Sequence, residues 1–243
     1  MVRFFVDPSQ LESQDIILDD DNSAHARVLR LQEGEQVILC DGNGTDYLCS
    51  IQSIQNGCYQ LKVMNSAASA SEPGVKACIY MALPKADKLE HVIQKATELG
   101  AYEIVTFPSA RCVSRPDEKS LQKKLDRWKK IAVSAAEQSG RGRIPNVIVL
   151  GTYAEALERA AKADKAILFY ENEHATTLHM ALNQGDYKSI SLLTGPEGGL
   201  EEKEVLQAQN AGLSVCTLGK RILRCETAPL CALSAVMYAT MEF

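Results

Sequence analysis

SISLLTGPEGGLEEKEVLQAQNAGLSVCTLGKRILRCETA, residues 189–228, contains a complete unit of the fold. The run from Ser189 to Leu193 is short, apolar and without helical period, so it reads as a buried strand. Leu200 to Ala211 reads as a helix stopped by Gly212, and Leu213 to Leu218 as the next strand. Two strands joined through a helix lie parallel, because a tight turn cannot carry the chain back to the end where it started. The loops after these strands differ from mere connections. In Thr194-Gly195-Pro196-Glu197-Gly198-Gly199, three glycines let backbone amides approach a ligand without Cβ interference, and Pro196 stiffens the turn. Gly219 to Ala228 carries Lys220, Arg221, Arg224 and Glu226, three cations and one carboxylate. Ligands in open α/β sheets bind beyond the C-terminal ends of the strands, where both loops fall.

The same alternation extends upstream. Strands are expected at Lys76–Leu83, Ile104–Phe107, Asn146–Leu150 and Ala166–Tyr170. Helices are expected at Ala86–Leu99, Asp117–Ser139, Thr176–Leu182 and Pro229–Met241, with a further one opened by the capping box Thr152…Glu155. The pattern predicts an α/β fold with a mainly parallel sheet, ordinarily doubly wound. Residues 1 to 65 instead hold short β-type runs (Val2–Val6, Asp15–Leu18, Gln36–Cys40, Tyr47–Ile54, Tyr59–Met64) and one short helix, Ser23–Leu29. Asp41-Gly42-Asn43-Gly44 signals a hairpin. This is a small β-barrel or sandwich. Asn65 to Gly74 reads as a linker, giving domains of residues 1–70 and 75–243.

Of the 243 residues 46% are apolar, enough for real cores, and no run approaches the roughly 20 residues that span a bilayer. With no secretory signal either, the chain is expected to be soluble and cytoplasmic. Its eight cysteines form no Cys-x-x-Cys pair and its four histidines are scattered, so no metal is expected. The net charge of −5 conceals a segregation: Lys119 to Arg143 carries eight bases against two acids, whereas Glu155 to Glu204 carries ten acids against five bases. A polyanion could dock on the first segment, although a solvated helix face explains such charge equally well. Neither a P-loop nor a dinucleotide fingerprint nor a nucleophile elbow is present.

TGPEGG at 194–199 followed by LGKRILRCETA at 218–228 closely resembles the RsmE family of 16S ribosomal RNA uridine N3-methyltransferases, of the SPOUT superfamily. The resemblance extends to Arg3, to His25-Ala-Arg27-Val-Leu-Arg30 and Asp41-Gly42, to KADKLEHVIQKATELG at 85–100, and to AAEQSGR at 135–141. Cys225 stands where the family commonly has Thr, and Leu200 where Phe is common. The family implies a C-terminal domain with a trefoil knot, a PUA-like N-terminal β-barrel, a homodimer, and 16S rRNA within the small ribosomal subunit as substrate; membrane and metal partners are not expected. It implies S-adenosylmethionine held among three loops: Phe169, Tyr170 and Glu171; Thr194, Gly195, Pro196, Glu197, Gly198 and Gly199; and Leu218, Gly219, Ile222, Leu223, Arg224, Thr227 and Ala228.

Uridine N3 bears a proton and becomes nucleophilic only as that proton leaves and charge spreads to the two carbonyl oxygens. A guanidinium aimed at those oxygens stabilises the anion, and a carboxylate or water takes the proton. Arg224 is the candidate for the first role, unless it pairs with Glu226 or clamps a loop carbonyl. Glu226 is the candidate proton acceptor. Glu197 either accepts amides at the following helix start or meets ligand or RNA, and Thr227 is expected to cap the last helix. Arg3, His25, Arg27 and Arg30, with Lys123, Arg127, Arg141 and Arg143, are the expected RNA contacts. Trp128, on an apolar stripe, is assigned to packing. The competing readings are a noncatalytic RNA-binding or ribosome-assembly factor, and methylation of another base or of a ribose 2′-oxygen.

Overall fold

The computed structural model describes residues 1–183 and 185–242. The chain divides into two compact units, Met1–Glu72 with Ala136–Ile144, and Pro73–Ala135 with Pro145–Phe243.

In the first unit, β1 (Arg3–Phe5), β2 (Asp15–Ile17), β3 (Gln36–Cys40), β4 (Thr45–Gln55) and β5 (Cys58–Ala68) form one sheet in the order β1-β3-β4-β5-β2. β1 runs parallel to β3 and the other pairs are antiparallel. The expected hairpin joins β3 to β4, where the Asp41 carboxylate accepts the amides of Asn43 (2.7 Å) and Thr45 (3.0 Å). Asn56-Gly57, both at positive φ, makes the two-residue turn between β4 and β5. The expected linker begins too early: Asn65 to Ala68 continue β5 and pair with β4, where backbone hydrogen bonding outweighs their small, polar side chains. Helix α1 (Asp20–Val28) starts at Asp19, whose carboxylate accepts the Asn22 amide. It buries Ala26 against a core of Phe4, Ile16, Val37, Leu39, Ile51 and Leu61.

The second unit alternates β6 (Lys76–Ala82), α2 (Lys88–Glu98), β7 (Glu103–Phe107), α3 (Glu118–Ser139), β8 (Asn146–Val149), α4 (Tyr153–Ala160), β9 (Lys165–Phe169), α5 (Leu178–Leu182), β10 (Ser189–Thr194), α6 (Glu202–Asn210), β11 (Ser214–Cys216) and α7 (Thr227–Ala239). The last turn of α3 belongs to the first unit. Every strand pairing recorded in this sheet is parallel. Helices cover both faces of such a sheet, so its strands are apolar without alternation, and β7 is buried at all five positions. Trp128 is 3% exposed and belongs to the packed interior.

The strand order β11-β9-β10-β6-β7-β8 departs from an ordinary doubly wound sheet, which would place β9 beside β6. Here β10 takes that place and β9 lies outside it. From β11 at the edge, the chain comes back to the middle, where α7 packs on β6, β10 and α2. This return crossing fits the C-terminal domain that the sequence resemblance implies. Among the described residues no helix is long and apolar enough to cross a membrane, and no group of three His, Cys, Asp or Glu is placed to hold a metal ion.

Candidate functional site

β9, β10 and β11 are neighbours in the sheet, so the loops leaving their C-terminal ends converge. They enclose a cavity of about 660 Å³, inside the range of roughly 300–1,000 Å³ usual for small-ligand sites. Phe169, Tyr170 and Glu171 line it, as do all six residues from Thr194 to Gly199, together with Leu218, Gly219, Ile222, Leu223, Arg224 and Ala228. Lys88, Asn172, His174, Thr217, Lys220, Arg221 and Cys225, not expected there as cofactor contacts, complete the wall. Thr227, by contrast, is exposed and lies off the wall. It does not cap α7, since it is the first helical residue; Glu226 occupies the cap position without a side-chain cap bond.

The glycines make this cavity possible. A Cβ on Gly195 would lie 3.0 Å from Leu200 and 3.2 Å from the Gly199 backbone. Gly199 has φ +68°, and a Cβ there would collide with the Glu171 carboxylate. At Gly198 the Cβ would meet Arg111 at 3.1 Å, so this glycine admits the loop after β7 rather than the ligand. Arg111 donates to the Gly198 carbonyl (3.1 Å) and the Ala110 amide donates to Glu204 (2.9 Å), which ties that loop to the cavity wall.

Glu197 does not serve the start of α6. Glu201 and Glu204 form the capping box there, with the Glu201 amide donating to Glu204 (2.9 Å). Glu197 instead accepts the Lys85 amide (3.0 Å) and pairs with Lys88 Nζ (3.2 Å), both from the turn into α2. That turn holds Ala86 at φ +54°, a left-handed conformation uncommon for a residue with a Cβ. The same ammonium pairs with Glu226 (3.3 Å) and lies 3.7 Å from Cys225 Sγ, while the Cys225 thiol donates to Glu226 (3.2 Å). Burial, reinforced by that hydrogen bond, pushes the Cys225 thiol up to about 12, so it remains protonated and donating. Desolvation would raise Glu197 and Glu226, but amide hydrogen bonds and Lys88, with the Cys225 thiol for Glu226, hold both below the usual carboxylate range. Glu226 lies off the cavity wall and is engaged by other groups, a poor setting for the proton acceptor expected of it. Arg224 is exposed on the wall, and among the described residues no ion pair or side-chain hydrogen bond engages its guanidinium.

Two expected RNA contacts have other employment. The Arg3 guanidinium is bidentate on Asp46 (2.5 and 3.0 Å) and also meets Cys40. Arg141 is 3% exposed and held by Glu72 (2.6 Å), whose carboxylate also accepts the Gly142 and Arg143 amides. Neither presents a free face to a phosphate. Arg143 donates to the Asn43 carbonyl, and Arg127, although largely exposed, pairs with Glu90 (2.6 Å). His25, Arg27, Arg30 and Lys123 are exposed, with the His25 ring set edge-on to Phe4.

A model of the RNA methyltransferase domain matches residues 71–237, and one of the RNA methyltransferase PUA domain matches residues 18–63. Ribosomal RNA small subunit methyltransferase E of Bacillus subtilis is 37% identical, over 99% of this chain and 97% of its own length. Its namesake from Mycobacterium tuberculosis is 34% identical over 99% and 92%. The crystal structure of the Neisseria gonorrhoeae namesake bound to S-adenosyl methionine superposes with a TM-score of 0.85 at 31% identity, covering 98% of this chain and 97% of that one. Fold and site therefore define an RNA methyltransferase of the SPOUT type carrying a PUA domain. Within that class, the chain belongs to the family of ribosomal RNA small subunit methyltransferase E.

Proposed function

We propose that the chain methylates N3 of a uridine in 16S ribosomal RNA within the small subunit, using S-adenosylmethionine. The observation that carries this reading is the glycine-lined cavity at three adjacent strand ends, with the unpaired guanidinium of Arg224 on its wall. The cavity suits the cofactor: glycine backbone can approach it closely, Phe169, Leu218, Ile222 and Leu223 offer apolar surface to a base, and Glu171 offers a counter-charge. When bound, the cofactor supplies a methyl group activated by an adjacent sulfonium.

The protein's own part is chiefly positioning, because an in-line transfer requires both partners to be held. Arg224 stabilises the charge on the uridine carbonyl oxygens as the N3 proton leaves. Glu226 is already committed to Lys88 and Cys225, so water takes that proton. His25, Arg27, Arg30 and Lys123 contact phosphates, which predicts an affinity that falls with salt. The protein acts in the cytoplasm as a homodimer; α7 is apolar nearly all round yet leaves Cys231 and Tyr238 exposed, which supports a second copy covering it.

Mass spectrometry of nucleosides from 16S rRNA, taken from cells with and without this gene, tests the reading. Loss of 3-methyluridine is expected. Loss of a different methylated base, of a ribose 2′-O-methyl, or of nothing would reject it.

A further inference from the structure

We propose that the loop after β7, residues 108–117, forms with Lys85 a phosphate-binding surface beside the cavity, on which Arg111 grips the RNA strand next to the target nucleotide. The inference rests on the function proposed above and adds residues that neither the first unit nor α3 supplies. Every strand pairing recorded in the second unit is parallel, so the loops after β6 and β7 leave by the same edge as the three that enclose the cavity. The strand ends are level, with Ala82 beside Phe107 and Met81 beside Thr194.

The β7 loop is pinned from below. Its Ala110 amide donates to Glu204 (2.9 Å), a residue only 4% exposed whose other carboxylate oxygen accepts the Glu201 amide (2.9 Å). A buried carboxylate is costly unless its oxygens are hydrogen-bonded, and here one of those bonds fixes an exposed loop. Ser109 and Cys112 are buried, with the Cys112 amide donating to the Ser109 carbonyl (3.2 Å) and the Ser109 amide donating to Cys112 Sγ (3.3 Å). Between these anchors Arg111 is exposed. One of its five N–H groups donates to the Gly198 carbonyl on the cavity wall (3.1 Å), and the nearby Glu201 is paired with Lys203 (2.8 Å). Among the described residues no ion pair engages the Arg111 guanidinium. A guanidinium so held, with donors left over, loses little freedom on gripping a phosphate, and its planar fork suits phosphate oxygens.

The edge around it is positive. Lys85 and Arg115 are exposed, as are Lys220 and Arg221 on the cavity wall, and among the described residues none of these four is in an ion pair. Asp87, Asp117 and Glu171 are exposed acids of the same loops, and Asp117 is taken by the start of α3, where it accepts the Ser120 amide (2.7 Å). An RNA strand delivering a base to Arg224 runs its neighbouring phosphates along this edge, where the charge is of the sign that accepts them.

Binding to small ribosomal subunits from cells lacking this gene, measured against salt concentration, tests the surface without any methyl transfer. Arg111→Gln removes the charge but keeps an amide donor for the Gly198 carbonyl. It should make the double-logarithmic slope shallower by about one and weaken binding roughly tenfold at 0.1 M salt. Arg111→Gln/Arg115→Gln should lower the slope by about two, and Arg111→Lys should retain most of it. An unchanged slope in the double variant overturns the proposal, as does an absence of salt-dependent binding by the unaltered protein. If calorimetry finds that Arg111→Gln raises cofactor Kd while the slope stays as it was, Arg111 only buttresses Gly198 and the surface is rejected. Should Arg111→Gln fail to fold, Lys85→Gln/Arg115→Gln carries the same slope test. Surface and reaction fail separately. Shallower slopes together with loss of a different methylated nucleoside from the cells uphold the surface and reject the uridine reading, whereas unchanged slopes with 3-methyluridine lost reject the surface alone.

Discussion

Arg224 and Gly199 lie on the same cavity wall and fail in different ways when changed. Truncating Arg224 removes a donor that acts on charge developing during transfer, so Arg224→Ala should lower kcat by about 10²- to 10³-fold while calorimetry finds cofactor affinity nearly unaltered. Equal losses in both would remove Arg224 from the role given to it. Gly199→Val works on binding, because a β-branched residue at φ +68° is strained by about 1–3 kcal/mol and its Cβ collides with Glu171. Cofactor Kd should rise at least about tenfold. Gly198 is the weaker probe of that pocket, since its Cβ would press on Arg111 outside the ligand space. Both C-terminal motifs could be recognised as a ligand site from residue type alone: glycines and clustered charge after consecutive strands have few structural uses. Their pairings could not be read that way. Lys88 reaches Glu197 because β6 and β10 are adjacent and Glu226 because α7 packs on α2, and nothing near Lys88 in the sequence signals either neighbour.

At the scale of elements, alternating strands and helices were legible throughout the second unit because apolar runs of strand length and amphipathic stripes differ in period. All six strands and six helices stand close to where that period places them. Two features ran against local chemistry. Asn65 to Ala68 look like a linker yet extend β5, since a long hairpin partner satisfies their backbone. The basic segment ending at Arg143 looks like one continuous phosphate-binding face, yet Arg141 turns inward to Glu72. That pair anchors residues 141–143 within the first unit, through four donors on one carboxylate. Breaking it leaves a poorly solvated charge, so Arg141→Ala should lower unfolding free energy by about 3 kcal/mol in urea titrations. The salt dependence of RNA affinity should not change. A shallower salt slope with undiminished stability would return Arg141 to the phosphate-binding set.

For the whole molecule, the position of β10 between β9 and β6 separates this fold from the doubly wound arrangement that strand and helix counts suggest. Counting elements cannot reveal which strand lies beside which, and sequence pattern alone favours the commoner order. Tyr238 tests the assembly proposed on α7. The side chain is 78% exposed on an otherwise apolar helix, so Tyr238→Glu should weaken self-association by at least about 30-fold in sedimentation velocity, as loss of an aromatic anchor does. An unaltered sedimentation coefficient would place the dimer contact elsewhere.

The return crossing from β11 to α7 also has a consequence in time. α7 can settle on β6 and β10 only after those distant strands have paired, which makes its docking a non-local and late event in folding. Thr217 to Ala228, one wall of the cavity, lies on the segment that makes this crossing. A ligand in the cavity therefore grips the piece of chain that must retreat before the sheet can open. Bound cofactor should slow unfolding as well as favour the folded state, and the protein's lifetime under stress becomes a matter of rate set by ligand supply.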